Sequence, residues 1–156
     1  MAGPGQSSSW RGRILRYAPL IFWIGVIFFL SSSLGAASNT SRIIRPLLIW
    51  LFPDITEPSL QIAHFWVRKT AHFTAYGMLG LLSVRAFRRS SHAILKNWRF
   101  LFSLLLVALV AAADETNQSF LNSRTGALQD VLLDISGGLT VILLFYLMER
   151  LWLRRK

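Results

Sequence analysis

Four long apolar runs, separated by short polar stretches, constrain this chain more than any other feature. They fall at about residues 14–34, 71–87, 98–113 and 131–152. A helix needs roughly 20 residues to cross the hydrocarbon of a bilayer. The second and third runs reach that length only by extending through Lys69 and Asp114, which already places polar groups at membrane depth. An amphipathic lead-in from Leu60 precedes the second run. The pattern predicts an all-α membrane protein: four transmembrane helices plus a short interfacial helix in the first outer loop. The domain boundaries expected are a disordered cytoplasmic N-terminus over 1–13 and one transmembrane helical domain over 14–152. No internal repeat is visible.

The interfacial helix is read from SNTSRIIRPLLIWLFPDITEPS, between the first two runs. Ile43, Ile44, Leu47, Leu48 and Leu51 recur at helical spacing, with Arg42 and Arg45 beside them. Ser41 suits a capping position and Pro46 an early turn. The stretch is too short to span, so it lies in the membrane interface or packs on the bundle as a lid.

Charge sets the expected orientation. Lys and Arg total 17 against 7 Asp and Glu, a net charge of +10. Nucleic-acid binders need a wetted basic face, whereas here the basic residues flank apolar runs, so nucleic acid is not an expected partner. Arg11, Arg13 and Arg16 precede the first run; Arg85, Arg88, Arg89, Lys96 and Arg99 surround the second loop; Arg150, Arg154, Arg155 and Lys156 end the chain. The positive-inside rule then puts both termini and the second loop in the cytoplasm, a multi-pass, N-in and C-in membrane protein. The small residues after Leu34 also fit signal-peptide cleavage, but the long Trp- and Phe-rich run favours an uncleaved span. With no cysteine, disulfide and thiolate chemistry are excluded.

In that topology three helices carry ionisable groups to one level. Lys69, His72 and Tyr76 share a face of the second helix. Asp114, Glu115 and Gln118 end the third. Asp130 and Asp134 lie one turn apart on the fourth, with Asp134 roughly 10 Å inside it at 1.5 Å per residue. Arg124 lies in the loop between them. Ionisable groups inside a membrane are costly and mark functional sites. The same charges also suit a purely structural network, with Lys69 and Arg124 neutralising Asp130 and Asp134. Gly137 and Gly138 fit close helix packing.

The strings VRKTAHFTAYGMLGLL and ADETNQSFLNSRTGALQDVLLDISGG carry Lys69, His72, Phe73, Tyr76, Asp114, Glu115, Gln118, Arg124, Asp130, Asp134 and Gly137. In this ordered set the chain resembles the VanZ-like family of bacterial membrane proteins. The resemblance covers about residues 30–148. It departs from many relatives at Ala75, where they carry Glu, and at Asn117, where they carry His. The family takes its name from a protein associated with resistance to teicoplanin, which acts outside the cytoplasmic membrane. The resemblance therefore implies a role in the cell envelope and a link to antibiotic resistance, without supplying a reaction.

Three functions are open. The first is a protein that binds or modifies an anionic lipid-linked or cell-surface ligand, such as an envelope precursor. Lys69 and Arg124 would hold the anion by charge-assisted hydrogen bonds, with Tyr76, Asp114 and Gln118 also in the binding set. The second is a lipid-phosphate hydrolase or transferase in which His72 is nucleophile or base and Glu115, Asp130 and Asp134 supply acid groups. The run from Arg124 through Asp130 to Asp134 has the spacing of a lipid-phosphatase motif, but that motif needs a histidine at Asp130. The third is a transporter or flippase subunit, with a homo-oligomer supplying further helices. No cofactor is specified; a divalent metal on His72, Glu115, Asp130 and Asp134 is one alternative.

Overall fold

In the computed structural model of the chain, residues 10–32, 37–119 and 128–154 are described. They form six helices: α1 (Trp10–Ser31), α2 (Ala37–Leu51), α3 (Glu57–Arg88), α4 (Ala93–Asn97), α5 (Arg99–Ser119) and α6 (Leu128–Arg154). There is no strand among the described residues. α1 begins at Trp10, so residues 10–13 are helical where disorder was expected. Residues 1–9, Gly35, Ala36 and Arg124 lie outside the described residues.

Three described helices, not four, are long and apolar enough to cross a membrane: α1, α5 and α6. The difference lies in the second apolar run. It does not stand alone but is continuous with its lead-in, giving one helix of 32 residues, roughly 48 Å at 1.5 Å per residue. Arg68, Lys69, His72, Arg85 and Arg88 all fall on it, which lowers its mean apolarity.

α3 is the hub of the bundle, packed against α6, α5 and α1. Small residues make the α3–α6 contact close. A Cβ on Gly137 would collide with the backbone carbonyl of Phe73, and one on Gly80 would lie 2.8 Å from the Gly138 oxygen. Leu79, Val84, Val107 and Ala111 are fully buried around this seam. The outside of the bundle is apolar: Ile21, Phe22 and Phe29 of α1, Leu105 and Leu109 of α5, and Leu143, Leu144 and Leu147 of α6 are exposed. Asp114 and Asp134 are buried. Apolar outside and carboxylates inside is the arrangement that hydrocarbon surroundings favour.

The helix directions follow from the contacts. Tyr17 donates to Ser90 at 2.9 Å, and Arg88 and Arg99 both pair with Glu149. The start of α1, the connection from α3 to α5 and the end of α6 therefore share one end, which holds many of the basic residues. Ser31, Asp114 and the first turns of α6 share the other end.

α2 is amphipathic and docks on α3, where Arg45 forms a two-point ion pair with Glu57 at 2.6 and 3.0 Å. Ile44 and Leu48 are partly buried, while Ile43, Leu47, Trp50 and Leu51 face outward. Its apolar side is thus turned largely away from the bundle. The helix starts before Ser41, so Ser41 is interior rather than a cap, and Pro46 lies well inside the helix rather than in an early turn.

Candidate functional site

Asp114 is the centre of the polar end of the bundle. It lies near the end of α5 and is fully buried. Three donors meet on its Oδ2: Ser31 Oγ at 2.9 Å, Tyr76 O–H at 3.1 Å and Gln118 Nε2 at 3.0 Å. Gln118 also reaches Ser31 Oγ at 3.3 Å. The i, i+4 spacing of Asp114 and Gln118 on one helix face makes their contact local. Tyr76 arrives from α3 and Ser31 from the last turn of α1. Convergence of three donors on one oxygen is the pattern expected of a carboxylate held in low dielectric.

Two further pairs join α3 to α6. Lys69 is ion-paired with Asp130, and both side chains are partly exposed. His72 Nδ1 lies 3.3 and 3.5 Å from the two oxygens of Asp134. Of the two acids that Lys69 and Arg124 were expected to neutralise, Lys69 meets Asp130, while Asp134 faces His72. Lys69 and Asp130 precede His72 and Asp134 by about one turn on two helices that run in the same direction, so each group meets the one at its own level.

The structure therefore joins Tyr76, Asp114 and Gln118 by hydrogen bonds, Lys69 with Asp130, and His72 with Asp134. Ligand atoms of His72, Asp114 and Asp134 all lie within 4.8 Å of one another. Glu115 is buried beside Asp114 but is not in that trio, and neither is the more exposed Asp130. Among the described residues, the closely grouped ligand atoms are those of His72, Asp114 and Asp134 rather than those of the set His72, Glu115, Asp130 and Asp134.

A cavity of about 430 Å³ opens beside these groups, between α1 and α3. Trp23, Val26, Ile27 and Leu30 form the α1 wall; Ala71, Ala75 and Met78 stand on α3. Ser31, Arg68, His72 and Tyr76 give the cavity its polar part. Its size is within the usual range for ligand pockets, about 300–1,000 Å³. Trp23 Nε1 donates to the Ala75 carbonyl at 2.9 Å and ties the two walls together.

Across residues 17–149, the chain matches a family model described as VanZ/LLP1. The chain belongs to the VanZ/LLP1 family. Among curated proteins and among solved structures, nothing matches it. Within this VanZ/LLP1 chain, Ser31 and Arg68 are the site residues that sequence reasoning missed. Ser31 belongs to a Ser-Ser-Ser run closing the first apolar segment, which was read only as the end of a span. Arg68 lies four residues before His72, and that spacing puts both on one helix face.

Proposed function

We propose that this VanZ/LLP1 protein lies in the bacterial cytoplasmic membrane with both termini in the cytoplasm, and that it binds or modifies an anionic, lipid-linked ligand of the cell envelope at its outer end. The observation that carries the reading is the α1–α3 cavity, whose long walls are apolar and whose polar part contains Arg68 and His72. An acyl or isoprenoid chain suits the walls. A phosphate-like head group suits the cation, since guanidinium groups bind such anions with two parallel hydrogen bonds. In this reading α3 is the fourth membrane-crossing helix. Its Lys69 and His72 are tolerated because Asp130 and Asp134 of α6 face them. The basic end of the bundle lies in the cytoplasm.

Two measurements test the proposal. A cysteine at Ser59 is expected to react with an impermeant thiol reagent applied outside intact cells, and one at Ser91 is not; the reverse pattern would refute the orientation. The second is mass spectrometry of lipids retained by the full chain purified in mild detergent. A phosphate-bearing lipid should be retained, and Ala71→Trp, which fills the cavity, should reduce it about tenfold. Equal retention by wild type and variant would reject the cavity as the ligand site.

One observation favours a second, enzymatic reading. His72 is part of the cavity wall and has the Asp134 carboxylate against its ring. A carboxylate that orients a neutral imidazole is the arrangement of a general base. Loss of head-group turnover with retained lipid binding in His72→Gln would support hydrolysis or transfer over binding alone.

A further inference from the structure

Two buried carboxylates and one imidazole meet at the polar end of the bundle, and their hydrogen bonds leave one oxygen of each carboxylate without a donor among the described residues. Asp114 uses Oδ2 for all three of its donors, while its Oδ1 is buried and accepts no hydrogen bond from the described residues. Asp134 is 1% exposed, and its Oδ1 accepts no hydrogen bond from the described residues, with His72 Nδ1 3.3 Å away. Two ligand atoms each about 2.1 Å from a tetrahedral ion lie about 3.4 Å apart, a spacing this pair can accommodate.

We propose that His72, Asp114 and Asp134 form a binding site for one divalent cation, of the class that Zn²⁺ and Mn²⁺ represent. Two carboxylates and an imidazole are ligands such ions accept. The charge balance agrees, because an ion of charge +2 offsets two carboxylates that burial would otherwise penalise. The ligand atoms lie within 4.8 Å of one another. Around an ion they must approach to about 4.2 Å or less, a closure that side-chain rotation supplies. Ser31, Tyr76 and Gln118 would then hold Asp114 from behind, as outer-shell hydrogen bonds hold a metal ligand. Three protein ligands leave a coordination position open. His72 and Tyr76 also line the α1–α3 cavity, so the proposed site adjoins the cavity's polar part.

The site does not depend on the cavity holding a lipid, because metal binding is measured without one. The probe is Mn²⁺, and separately Zn²⁺, titrated into the full chain in detergent after chelator treatment. Calorimetry and Mn²⁺ electron paramagnetic resonance are the readouts. Wild type is expected to take up about one equivalent with micromolar or tighter affinity. His72→Gln and Asp134→Asn should each weaken binding about a hundredfold. Glu57→Gln, a surface carboxylate paired with Arg45, should leave it unchanged. Circular dichroism separates loss of metal from loss of fold, and if Asp134→Asn does not fold, His72→Gln decides. No saturable uptake of either ion by wild type, or full uptake by a folded His72→Gln protein, would overturn the proposal.

Discussion

Replacing Gly137 by alanine is expected to lower the stability of the folded chain by about 3 kcal/mol, at the upper end of what overpacking usually costs. The new methyl group would have to occupy the space of the Phe73 backbone carbonyl. A flexible side chain can swing away from such a contact, whereas a helix backbone moves only as a unit. α6 would therefore have to withdraw from α3 along the whole seam. That withdrawal would also separate Lys69 from Asp130 and His72 from Asp134. Gly138→Ala should be milder, because the nearest atoms there belong to the Val107 side chain. Gly25 is the control, with nothing within 4 Å of an added Cβ. Gly25→Ala should be neutral or stabilising, since alanine suits a helix better by roughly 0.5–1 kcal/mol. Equilibrium unfolding in mixed micelles measures all three variants. Unfolding of Gly137→Ala and Gly25→Ala at the same denaturant concentration would refute the close α3–α6 packing.

Asp114→Ala should cost a similar amount, about 3 kcal/mol, for a different reason. The substitution opens only a small space, but it leaves Ser31, Tyr76 and Gln118 without the acceptor they share. An unsatisfied buried donor costs about 1–3 kcal/mol. Hydrogen bonds between membrane helices average less, about 0.6 kcal/mol, because the separated helices find other partners. Three donors on one carboxylate bring the expected total between those limits. Tyr76→Phe removes a single donor and should cost about 1 kcal/mol. In the Asp114→Ala background that change should add almost nothing, since its partner is already gone. Measuring unfolding in chelator isolates the hydrogen bonds from any bound ion. A loss below about 0.5 kcal/mol for Asp114→Ala, or full additivity with Tyr76→Phe, would mean that Asp114 does not organise this end of the bundle.

Much of the architecture was legible in the sequence because its signals are local. The 14–34, 98–113 and 131–152 runs became α1, α5 and α6, each extended at one or both ends. The extension of α5 carries Asp114 and Gln118 on one face, as the i, i+4 spacing required. The 71–87 run was harder to bound. Thr70, Lys69 and Arg68 interrupt its apolarity without breaking the helix, since none of them opposes helical backbone. The start of α2 was displaced for a related reason. Ser41 looks like a cap, yet Ala37 to Thr40 continue the helix before it, and a capping preference is worth only about 1 kcal/mol.

The sequence by itself determined that the chain is helical and apolar on its outside. It also determined that His72, Tyr76, Asp114 and Asp134 belong near one end of a bundle. These properties depend on spacing along each helix and on the cost of placing each residue type in a given medium. Only the tertiary structure decided the pairings: Lys69 with Asp130, His72 with Asp134, and Ser31 of α1 with Asp114. Pairing depends on how far each helix is rotated and slid against the next. Here backbone contact at Gly80, Gly137 and Gly138 sets that register. A sequence pattern identifies the face a glycine shares with its neighbours, while its level along the facing helix follows from packing the whole bundle at once.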